Sequence, residues 1–428
     1  MKQILLLFAF SGVFCLYSCA NDTATVKQNQ EKISYDNSIS LPVNFKAQIV
    51  VEELGKNRHL AINTNGDVFV KLEKLRNGSG IVQLRPDKNG IYQEVNSFCT
   101  YTGTGIVIKN GYLYASSDDE VFRYKFNAKN EIENPDSPEK IVTGLLSKRQ
   151  HASKAISLDD IGNIYVEVGA PSNACQEKDR QKGSPGMDPC PILETAGGIW
   201  QFKVDKLNQT YADGFHYVTG IRHVVGMDWN NVSNDLYLMQ HGRDQLSQFF
   251  PEMYTEAQNA EIPAEEFFRA KKSSDFGWPY CFFDPFQNKK LLSPEYGGDG
   301  KNQGRCADKG QPIMAFPGHW APNDLMFYTG NQFPAKYKNG AFIAFHGSWN
   351  RAPLKQAGYN VVFVPFGADG LPNGKYEIFA DGFMGAESIV SPGDAKHRPC
   401  GLSQDADGSI YISDSKVGKI WKINYQSK

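Results

Sequence analysis

Arg58, Arg222, His223 and Arg398 share a position with Thr102, Thr104, His151 and His319: each stands at or near the start of a short apolar segment that turns into a second, alternating one. Cations and imidazoles dominate the set. Like charges gathered in one place cost energy unless an anion compensates them, so the pattern points to a ligand with several carboxylates or phosphates, held by guanidinium forks. Any single arginine could instead be a strut that hydrogen-bonds main-chain carbonyls. A histidine in such a set is neutral near pH 7 and can take a proton from a hydroxyl.

The segments that carry these residues recur six times: 58–62 with 65–70, 102–108 with 110–114, 151–156 with 162–166, 222–227 with 234–238, 319–325 with 339–343, and 398–402 with 407–411. Asn65-Gly66, Asn110-Gly111, Asn339-Gly340 and Asp407-Gly408 suit tight turns between antiparallel strands, because such turns need positive φ. Further alternating stretches at 121–126, 198–204, 361–366 and 419–424 add a third strand to several repeats. Three or four strands repeated six times predict an all-β, six-bladed β-propeller, with the first strand of each blade lining a central channel. The last repeat is a strand short, and 45–51 can complete it. Repeat spacing is uneven, widest between Arg222 and His319, which predicts long inter-blade loops at 171–197 and 245–318. Aromatics there and nearby, such as Phe249, Trp278 and Trp320, could stack on a sugar face, though packing is their commoner use.

The formal net charge of −2 and the lack of any Lys/Arg run exclude a phosphate-backbone partner, so no nucleic acid is expected. Lys2 followed by the apolar stretch 4–16 reads as a signal peptide over residues 1–18. Leu16-Tyr17-Ser18-Cys19 resembles a bacterial lipoprotein box, which would put a lipid on Cys19 and make 19–40 a flexible tether for a catalytic domain at 41–428. Membrane contact is expected only through that lipid. The folded part is expected outside the cytoplasm, facing the periplasm or exterior. Six cysteines remain after Cys15 and Cys19. In an oxidising compartment Cys175 with Cys190, and Cys281 with Cys306, each close a polar excursion. Cys99 and Cys400 are left over, paired or free and buried.

Several segments then meet a known family. Asp275-Phe276-Gly277-Trp278-Pro279-Tyr280-Cys281, His346-Gly347-Ser348-Trp349-Asn350-Arg351, Gly220-Ile221-Arg222-His223 and Gln240-His241-Gly242-Arg243-Asp244 resemble those of soluble glucose/sorbosone dehydrogenases that use pyrroloquinoline quinone (PQQ), in the branch of secreted pyranose dehydrogenases. The resemblance runs from about Phe45 to Ile423. It implies PQQ and calcium as cofactors, a sugar or related polyol or aldehyde as substrate, and an external electron acceptor. His151 would be the general base. Arg222 and His223 match an Arg-Asn pair beside the quinone, with histidine a departure at the second position. Arg351 and Arg398 would face cofactor carboxylates, as would Arg58. Calcium would be held partly by the carbonyls of Gly242 and Arg243, and Asp244 would serve the metal or cap the turn. The family orients its base with a carboxylate after the following strand. Gly169-Ala170-Pro171 offers none, so Asn173 or an acid such as Asp324 is expected to do it. Two other readings of the scaffold are a calcium-dependent lactonase-like propeller and a non-catalytic glycan-binding one.

Overall fold

In the second strand of most blades every residue is buried, because that strand has a neighbouring blade against each face. Asn163–Val168, Asp235–Gln240, Ala341–Phe345 and Ile410–Asp414 are the examples. The computed structural model describes residues 32–426. The leader, Cys19 and the tether up to residue 31 lie outside the described residues.

Six sheets, antiparallel except for a short parallel pairing of Phe215–Thr219 with Ser274–Asp275, follow one another around a ring, as the repeats predict. Their innermost strands are Asn57–Ile62, Ile106–Lys109, Ile156–Leu158, Val224–Asn230, Pro322–Phe327 and Pro399–Gln404. The ring closes with Phe45–Val51, which pairs antiparallel with Ile420–Tyr425, setting Phe45 opposite Tyr425. Phe45 also meets Phe333, Tyr337 and Phe379 edge-on at 4.7–5.6 Å between centroids, which ties the closing strand to the preceding blade.

The folded part begins earlier than residue 41. Ile39 is buried among these aromatics. Asp36 accepts a hydrogen bond from Trp421 Nε1 and pairs with Lys419 at 2.8 Å. Residues 33–40 are therefore packed against the last blade and are not a tether.

The wide gap between Arg222 and His319 holds two short helices, Leu246–Phe249 and Glu256–Glu261, and a hairpin of Cys281–Asp284 with Lys289–Leu292. Thr255 and Gln258 form a capping box that starts the second helix. Disulfides join Cys175 to Cys190 and Cys281 to Cys306, as expected. Cys99 and Cys400 are free and buried in different blades. Cys99 Sγ lies 3.2 Å from Lys71 Nζ and Cys400 Sγ lies beside the Asn323 amide, so the leftover cysteines do not pair.

Candidate functional site

His151 sits just before the strand Ile156–Leu158 in a left-handed conformation, φ 56°, a strained backbone for a non-glycine residue. Its Nδ1 lies 2.6 Å from the carbonyl of Ala170. A carbonyl only accepts, so Nδ1 carries the hydrogen and Nε2 keeps a lone pair. Gly169 permits this approach: a Cβ there would fall 2.6 Å from the His151 carbonyl and 2.7 Å from its Cβ. The base is thus oriented by main chain. Asn173 is instead occupied with both backbone groups of Asp244. The carboxylate of Asp324 accepts from the amides of Leu325 and Leu402.

The His223 ring stacks on His151 with 4.6 Å between centroids and 20° between planes. Its Nδ1 lies 2.9 Å from Glu167 Oε1, and His241 packs 5.2 Å away on the other side. These three histidines line a cavity of about 280 Å³ together with Arg180, Arg222 and Asp244. Burial pulls the His151 and His223 pKa values well down, and the neighbouring Arg222 charge adds to this, so both rings are neutral at pH 7. Burial also pushes Glu167 up to about 8, against the pull of Lys154. A larger cavity, about 450 Å³, opens on the channel elsewhere. It is lined by the inner strands, with Asp228 and Asp324, and has no arginine. The chemistry gathers in the smaller one.

The arginines divide into two groups, and the expected cationic ring is only partly formed. Arg351 is a strut: it donates to the carbonyls of Ala260, Gly318 and Lys355 and pairs with Glu261 at 2.6 Å, and it does not line the cavity. His319 is likewise committed, with Nε2 at 2.8 Å from the Asn259 carbonyl and 3.0 Å from the Asn350 amide. Arg222 pairs with Asp244 at 2.8 Å, yet its buried Nε–H has no acceptor. Arg58 donates to Thr104 Oγ1, and Arg398 to the carbonyls of His346 and Gly347. Neither has a carboxylate partner among the described residues, and neither lines the cavity that holds His151. Both stand near enough to His346 to lower its pKa further, after the larger effect of burial.

The residues expected at a metal are also engaged. The Gly242 carbonyl accepts from Arg222 at 3.0 Å. The Asp244 carboxylate takes both Arg222 and Arg180, and these charges with His319 outweigh burial and hold its pKa low. The Arg243 guanidinium is turned away to Glu295, a fully buried bidentate pair. Among the described residues no cluster of three His, Cys, Asp or Glu side chains could hold a metal.

A family model described as TrAA12-like matches residues 39–426, nearly the whole described fold. The chain belongs to the TrAA12-like family. It is similar to the pyrroloquinoline quinone-dependent sugar dehydrogenase of Hypocrea jecorina, 20% identical over 96% of this chain and 94% of that one. Two solved structures share the fold. One is the calcium structure of the Trichoderma reesei carbohydrate-active enzyme of family AA12, with TM-score 0.74 and 18% identity over 93% of this chain and 100% of the other. The second is the holo form of the pyranose dehydrogenase PQQ domain from Coprinopsis cinerea, with TM-score 0.72 and 20% identity over 92% and 98%.

In this TrAA12-like chain, three features suit a multiply anionic ligand: Arg58 and Arg398 without acids, and the Arg222 Nε–H without an acceptor. Sequence reasoning missed three participants. Arg180 sits inside the loop closed by Cys175 and Cys190, and it straps that loop to Gln150, Gln245 and Asp244 at the cavity edge. Trp349, half-exposed, forms part of the rim. Glu167 left a signal that could have been read: it is a lone acid in the apolar run Ile164-Tyr165-Val166-Glu167-Val168.

Proposed function

We propose that this protein is a PQQ-dependent dehydrogenase that oxidises a sugar or a related polyol or aldehyde and passes the electrons to an external acceptor. The observation that carries the reading is the bare Nε2 of His151 at a cavity lined by Arg222, whose buried Nε–H has no acceptor. The related dehydrogenase of Hypocrea jecorina and the PQQ-bearing neighbour support it.

PQQ, a tricarboxylate quinone, supplies the hydride acceptor when bound. Arg398 and Arg58 bind its carboxylates, each having donors left after its protein contacts. Arg222 donates from Nε. His151 takes the substrate hydroxyl proton on Nε2, and the Ala170 carbonyl holds the ring in the tautomer that leaves this nitrogen free. Calcium belongs to the same proposal: the carbonyls of Gly242 and Arg243 are the donors on offer, hard oxygen ligands of the type calcium takes. The calcium-containing neighbour supports that part. For the first of these carbonyls, Arg222 would have to share its acceptor with the ion.

Export through the apolar leader and anchoring by a lipid on Cys19 are also part of the proposal, supported by two disulfides in the folded domain. Release from a membrane fraction on Cys19→Ala checks the anchor.

The experiment is reconstitution of purified protein with PQQ, with and without calcium, followed by dye reduction across a panel of aldoses, deoxysugars and polyols. The expected result is sugar-dependent reduction that needs PQQ and is lost on chelation. Lactone hydrolysis without PQQ, or sugar binding without turnover, would overturn the dehydrogenase reading.

A further inference from the structure

His223 replaces an asparagine that the family resemblance places beside the quinone, and the substitution changes more than shape. An amide offers a donor and an acceptor in one group, whereas a neutral imidazole offers one of each on opposite sides of a ring. Which side faces the ligand depends on what the other side meets. For His223 that partner is Glu167. Its Oε1 lies 2.9 Å from His223 Nδ1 and also accepts from the Val224 amide at 3.2 Å. Once Glu167 is ionised, above about pH 8, its oxygen can only accept, so Nδ1 carries the hydrogen and Nε2 is left as an acceptor. His151 is held in the same tautomer by the Ala170 carbonyl. The two stacked rings thus bring two Nε2 lone pairs to one cavity, 4.6 Å apart at their centroids.

Glu167 is built in. It is fully buried next to the end of the strand Asn163–Val168, and its second oxygen has no partner. An unsatisfied carboxyl oxygen in an apolar strand costs stability, so a structural role alone is a poor account of it. Reoxidation of a reduced quinone cofactor releases two electrons and two protons. The external acceptor would take the electrons; of the two protons, one comes from the substrate hydroxyl by way of His151 and one from the transferred hydride, and both would need a base among this chain's residues. A single base beside the cofactor accounts for one of these protons.

Resting on the PQQ reading, we infer that Glu167 is a positioning residue that fixes His223 as a second proton acceptor beside His151, so that each of the two protons released on reoxidation has its own Nε2. Glu167 acts on His223 by fixing the tautomer and, once ionised, by stabilising the imidazolium that forms. The charges facing this pair come from several blades: Arg222 next to His223, Lys154 below Glu167, and Arg58 across the axis, with His151 and His241 as neutral neighbours. The cations resist protonation of His223, which is why a carboxylate is needed behind it. Burial lifts the Glu167 pKa to about 8, so the pair becomes a stronger base as pH rises through that value.

The test has two arms. Selective ¹⁵N-histidine NMR on the cofactor-free protein, with the His223 signal assigned by its loss in His223→Asn, reports the tautomer directly. Above about pH 8, where Glu167 is ionised, the expected result is a protonated Nδ1 and a bare Nε2, scrambled in Glu167→Ala. A wild-type signal showing protonated Nε2 overturns the inference. In the second arm the PQQ-loaded protein is reduced by sugar and reoxidised by dye in separate rapid-mixing steps. Glu167→Gln is expected to slow reoxidation by about tenfold or more and to remove its rise near pH 8, while reduction by sugar stays within about twofold. Equal losses in both steps would mark Glu167 as merely structural, and unchanged reoxidation would overturn the inference alone. A wild-type protein that takes up no PQQ sinks the dehydrogenase reading and this inference together.

Discussion

The imidazole rings of His151 and His223 lie almost parallel, 20° apart, and each is held by an acceptor at Nδ1: a main-chain carbonyl for the first and a buried carboxyl for the second. The difference assigns their work. A carbonyl fixes a ring without changing its charge, while a carboxyl can respond to it. His151→Gln removes the bare nitrogen and keeps comparable bulk. Sugar oxidation is expected to fall by at least about a hundredfold, with PQQ affinity measured by absorbance titration nearly unchanged.

Arg398 and Arg351 should behave in opposite ways, although both motifs point to cofactor carboxylates. Arg398→Ala removes a guanidinium with no acid partner, and about 1.5–3 kcal/mol of binding, a ten- to hundredfold weaker PQQ Kd, is expected to go with it. Some stability should go as well, because the carbonyls of His346 and Gly347 lose a donor. Arg351→Ala instead strands the carbonyls of Ala260 and Gly318. A stability loss on the order of 2–3 kcal/mol is expected in denaturant titration, with Kd unchanged in the protein that remains folded.

Acid should loosen the fold through its buried histidines. Burial first, then the Arg58 charge, takes the pKa of His59 down to about 3, although its contact with the Asn323 carbonyl opposes this. Between pH 6.5 and 3 the unfolded chain therefore binds a proton there that the folded chain does not. Stability is present above pH 6.5 and falls below it, by about 1.4 kcal/mol per pH unit for one such group. His59→Gln is expected to flatten that slope in urea titrations at pH 4.5–6.5. Glu167 works in the other direction: with its pKa raised to about 8, stability declines as pH rises from 4.5 to 8, and Glu167→Gln removes that decline.

Breaking the Cys175–Cys190 link should reach the cavity as well as the fold. The bridge spans 15 residues and encloses Arg180, which reaches Asp244 at 2.9 Å. The double change Cys175→Ser with Cys190→Ser is expected to cost about 3 kcal/mol in denaturant titration. It should also free the Arg180 strap, seen as faster amide exchange across residues 176–186.

Much of the architecture was legible because it depends on periodicity. Asn-Gly and Asp-Gly turns followed by alternating strands mark the blades, and the alternating stretch Phe45–Val51 ahead of the first repeat marks the closure. Direction is harder. Arg351 and Arg398 sit in comparable motifs, but that the Arg351 guanidinium is spent on a helix end depends on where Ala260 lies, about ninety residues away in sequence. The orientation of His151 was misread for a related reason: the acceptor is the Ala170 carbonyl, and a main-chain oxygen leaves no trace in residue type. Residues 33–40 are polar enough to suggest a tether, yet Ile39 and Asp36 have partners supplied by the far end of the chain.

The pairing of Phe45–Val51 with Ile420–Tyr425 has a temporal meaning. Until the final strand has been synthesised, the opening strand lacks its partner, and the rim carrying Phe45 and Ile39 stays wet. The toroid can therefore lock only after Ile420–Tyr425 has been synthesised. Its earlier blades must wait as a partly assembled arc, a stage at which exposed sheet margins invite association between nascent copies.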